Sequence, residues 1–374
     1  MARRAPPGKK KLNDTIATLG GSLETGEPDG RALAQRMAAL KNEAREKGYF
    51  NVPLWEQALR GVELVGVPTL AFALLAKGGL AAAAGALLLG VHYPRTAYLG
   101  HDVAHNQWGP REEPKARVML AAAALFQGFG ASWWVEKHEL HHSFPNGCKT
   151  NADGVLTPID GDIDSAPWIV WDKLLVEHND TAQMSGFSKF LAPFLRRFQV
   201  ALFFPLLMLA RFNWSWQSIA TAARKEKTLE TALCVAHWVL GLTLAGFLTP
   251  GAAWTGWAWF VFAQLLGGFI LAFVFVLNHT GMEVYDAAKA MGFYDRQARS
   301  TRNTPTSTFL DWLTGGLNSQ IEHHMFPTMA RRNLSKMREA TRKAMQECGY
   351  AYHELNNREA MRAVLTTLDE AARA

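Results

Sequence analysis

Cysteine is nearly absent from this chain. Cys148, Cys234 and Cys348 are the only three in 374 residues, and no two share a CxxC spacing. A disulfide scaffold and a thiolate zinc site are excluded, and a reducing compartment fits. Histidine is missing from the first 58 residues. No apolar core follows their basic opening of Arg3, Arg4, Lys9, Lys10 and Lys11, so no secretory signal is expected. Lys and Arg are missing from two long stretches. Only Lys77 falls between Arg60 and Arg95, and none lies from 231 to 288. The net charge of +6 admits nucleic acid, an anionic membrane surface or an acidic partner. The placement of the charges decides between them.

Bulk composition excludes a disordered or collagen-like chain and is otherwise uninformative: 49% hydrophobic residues with a mean hydropathy of -0.06 is ordinary for a globular protein. At about 150 residues per domain, the length would make two or three soluble domains. Local composition argues against that. Apolar stretches at about 59–77, 80–99, 231–248 and 253–277 approach or reach the roughly 20 residues of a spanning helix. With four spans, the two short hairpin loops lie on one side and nearly all Lys and Arg on the other, which is then the cytosol. Basicity follows from topology, and no nucleic-acid partner is expected. Trp254, Trp257 and Trp259 suit a membrane interface. Two shorter apolar pieces, 118–130 and 198–210, are read as interfacial or re-entrant in the cytosolic leaflet. The expected organisation is a cytosolic tail over 1–58, a membrane domain over 59–345 and a cytosolic helix in 346–374. Within the tail, 1–30 is expected to be mostly disordered and 31–48 to form a short charged helix.

Eight of the 12 histidines fall in four places. They are His101-Asp102-Val103-Ala104-His105, His138-Glu139-Leu140-His141-His142, Asn278-His279 and Gln320-Ile321-Glu322-His323-His324. Helix neighbours at i,i+3 and i,i+4 share a face. His101 with His105, then His138 with His141 and His142, then Gln320 with His323 and His324, are each expected to grip a centre from one side. Imidazole suits iron, zinc, copper and nickel, and eight are too many for one ion, so two metals are the economical reading. All eight fall on the cytosolic side of the expected topology. His92, His178, His237 and His353 are read as structural.

These boxes resemble the membrane fatty acid desaturases, the histidine-box di-iron family, whose hallmark is HxxxH, HxxHH and [HQ]xxHH. Here they read HDVAH, HELHH and QIEHH. Gln320 at the head of the third box points to the front-end branch, which inserts a double bond between an existing one and the carboxyl end. Asp311-Trp312-Leu313-Thr314-Gly315-Gly316-Leu317-Asn318 before that box, Met325-Phe326-Pro327 after it, Pro145-Asn146 after the second, and Asp162-Ile163-Asp164 downstream extend the likeness over roughly 60–345.

The resemblance implies an all-α integral membrane protein: four transmembrane helices with a cytosolic helical cap holding a histidine-rich di-iron centre. It implies His101, His105, His138, His141, His142, His279, His323 and His324 as ligands, with Gln320 ligating directly or through water. Asp102 and Glu322 are expected to orient ligand imidazoles, and Asn278 is a weaker candidate with a helix-capping alternative. The cofactors implied are two Fe ions, with O2 as co-substrate. A fused cytochrome b5 domain would need its His-Pro-Gly-Gly, which residues 1–58 do not contain, so electrons are expected from a separate cytochrome b5, ferredoxin or flavoprotein. The substrate implied is an acyl-lipid or acyl-CoA chain, with Trp133 and Trp134 as candidate tunnel walls. The active site and both termini are placed in the cytosol, at a bacterial inner membrane or, in a eukaryote, the endoplasmic reticulum. A fatty acid or sphingolipid hydroxylase of the same family is the alternative; a metal-binding or metal-transport membrane protein is a remote one, since its ligands would line the spans.

Overall fold

The computed structural model describes residues 28–181 and 186–374. The expectation of disorder over 1–30 therefore lies, but for its last three residues, outside the described residues. The charged segment forms α1 (Gly30–Glu46), capped by Asp29, whose Oδ1 accepts from the backbone N–H groups of Arg31 at 2.9 Å and Ala32 at 3.0 Å. Two long helices follow as a hairpin, α2 (Leu54–Leu75) and α3 (Gly79–Ala104). Next come α4 (Pro114–Gln127) and α5 (Ala131–Ser143), meeting at a bend of 100°. Beyond the short strands β1 (Gly147–Thr150) and β2 (Leu156–Pro158) lie α6 (Val176–Thr181), α7 (Gly186–Met208) and α8 (Ala210–Arg224). A second hairpin pairs α9 (Thr228–Leu248) with α10 (Ala253–His279). The rest is a cap: β3 (Tyr285–Asp286), α11 (Phe293–Ser300), α12 (Thr308–Thr314), α13 (Gln320–Met325), α14 (Leu334–Glu347) and α15 (Asn357–Arg373).

Among the described residues, four helices are long and apolar enough to cross a membrane: α2, α7, α9 and α10. Two sequence expectations change here. The apolar piece read over 198–210 as about 13 residues is the C-terminal part of the 23-residue α7. That helix begins earlier, through Phe187, Phe190 and Phe194, which are exposed on its outside; the charges of Lys189, Arg196 and Arg197 between them hid its length. The stretch read as a span over 80–99 is a 26-residue helix, but α3 is not one of those four. It packs between α2 and α10, and most of its C-terminal half is buried. A helix shielded by neighbours can carry polar groups that a lipid-facing helix cannot. Arg95 does so by pairing with Glu63 of α2 and lying 4.3 Å from the Trp312 ring centroid. Trp254 and Trp257 are exposed at the start of α10, as an interfacial position requires.

The fold is mostly helical rather than purely so. Strands β1, β2 and β3 make a small sheet in the order β2-β1-β3, antiparallel and then parallel. Its strands are two to four residues long, too short to leave a period-2 signal. The C-terminal α15 is docked, with Val364 and Leu368 fully buried against Phe203, Leu207 and Val276. Gln199 of α7 fixes it by donating to Leu368 O at 2.7 Å.

The bend between α4 and α5 matters most to the site, because α5 carries the second histidine box. Side chains of α8 and α9 hold its backbone. Arg211 donates to Gln127 O, Ser215 Oγ to Gly128 O at 2.9 Å, and Ser218 Oγ accepts from Gly130 N. Glu230 accepts from Ser132 N at 3.0 Å, and His237 Nδ1 donates to Leu125 O at 3.0 Å. Gly128 ends α4 at φ +79, where a Cβ would stand 2.8 Å from His237 Cδ2. Gly128→Ala is expected to cost about 1–3 kcal/mol through strained backbone and a forced His237. Gly61→Ala, with nothing within 4 Å on a regular helix, should be neutral or slightly stabilising. Thermal unfolding of both variants in detergent checks this; equal midpoints would dismiss the bend as a pinned element.

Candidate metal centre

All eight box histidines converge. The C-terminal turn of α3 brings His101 and His105 round to one side, with His105 N–H closing on His101 O at 2.9 Å. Helix α5 supplies His138, His141 and His142, α10 ends on His279, and the two-turn α13 supplies His323 and His324. They form two clusters, in each of which one nitrogen per ring lies within 4.8 Å of the others. One holds His101, His105, His138, His142 and His323; the other holds His141, His279 and His324.

This corrects the expectation that each box grips one centre. The second and third boxes are each divided between the clusters. Successive helix residues point about 100° apart at 3.6 residues per turn, so the adjacent pairs His141-His142 and His323-His324 cannot face one ion together. His138 and His142, four apart, stay on one face. The doubled histidine of each box is what lets a single helix serve two centres.

Neutral imidazole has one in-plane lone pair and one N–H. His138 Nε2 faces two other ring nitrogens, His105 Nε2 at 2.9 Å and His142 Nε2 at 3.0 Å. One ring nitrogen cannot hydrogen-bond both in plane. Nitrogens bound to one ion at right angles, each at about 2.1 Å, stand about 3.0 Å apart, and His101 Nε2 and His323 Nε2 repeat that spacing at 3.1 Å. In the three-histidine cluster every Nδ1–H has an oxygen acceptor: Asp160 Oδ2 for His141 at 2.9 Å, Ser300 O for His279 at 3.1 Å and Gln297 Oε1 for His324 at 2.7 Å. In the neutral ring that tautomer leaves each Nε2 as a lone pair. His324 Nε2 is buried with no protein partner. These residues fit a pair of metal ions better than they fit each other.

The flanking residues divide. Gln320 lies at the three-histidine cluster, its Nε2 2.9 Å from His279 Nε2, and accepts from Asn278 Nδ2 at 3.4 Å. Asn278 is no simple helix cap: Nδ2 donates to Leu317 O at 2.8 Å and Oδ1 is buried without a partner. Asp102 stands 3.4 Å from His101 Nδ1 and pairs with the buried Arg331, as an orienting role requires. Glu322 touches no imidazole. Its carboxylate accepts from Asn303 Nδ2 at 2.8 Å and Tyr352 OH at 2.9 Å, because α13 turns it away from the face of its neighbour His323. Sequence reasoning missed Asp160, Gln297 and Arg331. The Asp160-Gly161-Asp162 run was a signal for the first; the other two had none. Among the described residues, His92, His178, His237 and His353 stand outside both clusters.

Burial, and then the neighbouring imidazoles, hold His138, His142, His323 and His324 well below the ordinary 6.5, so they are neutral and ligand-ready. Burial acts on His141 in the same sense, but Asp160 and Asp162 outweigh it and lift it to about 9.

Two cavities meet at this centre. The larger, about 680 Å³, touches His141 and His279, and its lining includes the charged groups Lys137, Asp162 and Asp164. The narrower one reaches His101 between α3, α4 and α10. Trp134, Trp214 and Phe275 wall both, and Trp134 stacks on His138 with ring centroids 4.3 Å apart. Trp133 walls only the larger.

Two outcomes follow. His142→Ala and His324→Ala should each remove one ion, from different clusters, so that metal analysis gives a similar loss for either and a complete loss for the double variant. Chelated protein should lose stability steadily as pH falls below about 6.5, since the unfolded chain then takes up protons that four buried imidazoles refuse. Denaturant midpoints of chelated protein between pH 8 and pH 5 measure it, and a flat profile would contradict the neutral cluster.

The family model for fatty acid desaturase matches residues 78–356. An acyl-lipid (9-3)-desaturase of Physcomitrium patens is 36% identical over 296 residues, 78% of this chain and 53% of that one. A delta-8 fatty acid desaturase of Euglena gracilis is 32% identical over 266 residues, covering 67% and 58%. A delta-6 fatty acid desaturase of Caenorhabditis elegans is 31% identical over 263 residues, covering 67% and 56%. The chain spans between half and three fifths of the length of these curated relatives. With three quarters of its own length under the family model and both histidine clusters assembled, the chain belongs to the fatty acid desaturase family.

Proposed function

We propose that the protein is an O2-dependent di-iron acyl desaturase of the front-end type, placing a cis double bond on the carboxyl side of an existing one. The observation that carries this is the pair of histidine clusters set between two apolar cavities that share Trp134, Trp214 and Phe275. A chain laid through both cavities passes the metal centre at one stretch of methylenes, and removal of hydrogen from one position among many requires that fixed path. The named relatives act at delta-6, delta-8 and related positions.

His101, His105, His138, His142 and His323 would hold one iron, and His141, His279 and His324 the other, with Gln320 completing the second directly or through water. When bound, the irons supply the activation of O2, which with two electrons and two protons removes two hydrogens from adjacent methylenes and leaves two waters. The chain's own residues do the rest. Asp160, Ser300 O and Gln297 aim three imidazoles. Trp134 and Phe275 exclude water from the reacting methylenes. The clusters gather at helix ends rather than along a path through the spans, which disfavours a transporter.

In the lining of the large cavity Asp162 and Asp164 stand with one cation, Lys137, itself 3.3 Å from Asp162. That arrangement favours a glycerolipid head group over the several phosphates of coenzyme A. The metal centre faces the cytosol, from which a donor supplies the electrons. His105 alone among the eight is half-buried rather than buried, and marks the side from which electrons enter.

The protein, expressed with cytochrome b5 or ferredoxin and a matching reductase and supplied with polyunsaturated chains, should form a new bond on the carboxyl side of an existing one, located by mass spectrometry. Asp160→Asn should lower product about 10- to 100-fold at equal membrane expression, as loss of an orienting partner does at metal sites. A hydroxylated product would move the assignment to the sister reaction, and well-expressed protein without iron would end both.

A further inference from the structure

The C-terminal helix carries a group of charges that the metal centre does not use. An open groove of about 630 Å³ is lined by Phe273 of α10 and by α15. Its apolar lining is Phe273, Met361 and Leu365, and its charged lining is Arg358, Arg362 and Asp369. At about 3.6 residues per turn, the α15 members fall on one stripe of that helix. Beside it runs the stripe of Ala360, Val364 and Leu368 that packs on α7 and α10.

The charges do not cancel. Both oxygens of Asp369 are held by Arg373, at 3.0 Å and 2.6 Å. Arg358 and Arg362 are exposed, and among the described residues their guanidinium groups have no hydrogen-bond, ion-pair or ring partner. Four residues apart on a helix, their Cβ atoms stand about 5–6 Å apart, a spacing that one phosphate bridges. Depth decides what these cations meet. Trp254 and Trp257 mark one interface on α10. About 30 Å of hydrocarbon, or about 20 residues of helix, then ends near Leu277. Val276 and Leu277 are the residues of α10 that pack with α15. Phe273, one turn short of that level, lies among acyl chains, and the two guanidinium groups reach the head groups on their apolar stems.

We propose that this groove binds an anionic phospholipid of the cytosolic leaflet, its phosphate between Arg358 and Arg362 and an acyl chain along Phe273, Met361 and Leu365. Charge complementarity selects the anionic lipid. The choline or ethanolamine of a zwitterionic one would need a carboxylate, and the carboxylate of Asp369 is already held. The lipid touches both a spanning helix and the last helix of the cap, and so braces α15 against α10. The groove shares no lining residue with the two cavities at the metal centre. The site therefore stands apart from the reaction proposed above.

The test titrates the whole chain in detergent with dioleoyl phosphatidylglycerol or dioleoyl phosphatidylcholine and counts bound lipid by native mass spectrometry. The parent should prefer phosphatidylglycerol. The double variant Arg358→Gln/Arg362→Gln should lose about ten- to thirtyfold of that preference. The control Lys115→Gln/Arg117→Gln, which changes two exposed cations of α4 outside the groove, should keep it. Thermal unfolding in nanodiscs is the second readout. Adding phosphatidylglycerol to phosphatidylcholine discs should raise the midpoint of the parent and the control but not of the double variant. In phosphatidylcholine alone all three should melt together, since the substituted positions are exposed. Equal preference in all three proteins, or none in the parent, would overturn the site. A dimer that the double variant dissolves would give the groove to a second copy of the chain instead.

Discussion

Eight imidazoles must be drawn together out of water and aimed at two points, and the helix ends of this protein are placed by that demand. A buried imidazole gives up hydration for which only a metal or a hydrogen bond compensates. Two imidazoles at adjacent positions also cannot serve one ion. These two facts require four helix ends to meet, and require α5 and α13 to lie between the clusters rather than beside one of them. The orienting partners come from other elements again: Asp160 from the loop after β2, Gln297 from α11, Ser300 from its end, and Arg331 from the turn before α14. The cap also has an apolar core, in which Ile321, Met325 and Phe326 beside the third box pack with Leu33 and Met37 of α1 and Met337 and Met345 of α14.

The long helices supply a frame whose polar groups serve that centre. Arg211, fully buried, reaches Gln264 at 2.7 Å and lies 4.4 Å from the Tyr93 ring centroid. Its other bond holds the carbonyl of Gln127 at the bend. Gln264 continues to His237 at 2.9 Å, and His237 to Leu125 O. A charge so placed costs desolvation, and well-packed apolar residues could stabilise as much. What it provides is direction: the 100° turn of α4 into α5 is fixed at several backbone groups, and with it the three histidines of the second box.

How much of this was legible in the sequence depends on whether a residue's role is local. His101 with His105 and His138 with His142 were readable because helical spacing puts them on one face. The division of His141 from His142 follows from the same geometry but not from reading each box as a unit. Charge spacing showed α2, α9 and α10, whose apolar faces meet lipid. It undercounted α7, interrupted by Lys189, Arg196 and Arg197, and overstated the apolarity of α3, whose polar residues are paid for by burial between neighbours. Asp160 and Gln297 act across 19 and 27 residues of chain, and no periodicity carries such a pairing. Glu322 sat in a histidine box and yet belongs to Tyr352 and Asn303.

The two cavities give the clearest link from this frame to chemistry. A metal centre that oxidises methylenes has no polar handle on its substrate at the reacting carbons, so position must come from both sides of them. On one side the wide cavity carries charged groups in its lining. On the other, α3 carries His101 for the centre and, one turn earlier, Tyr98 in the lining of the narrower cavity, and α4 ends on Gln127 of the same lining. Because α3 is rigid between α2 and α10, the separation of Tyr98 from His101 is fixed by the helix itself. A wall built into the same helix as a ligand cannot drift relative to the centre it serves, and α3 therefore holds the lining of the narrower cavity and the metal centre in one fixed relation.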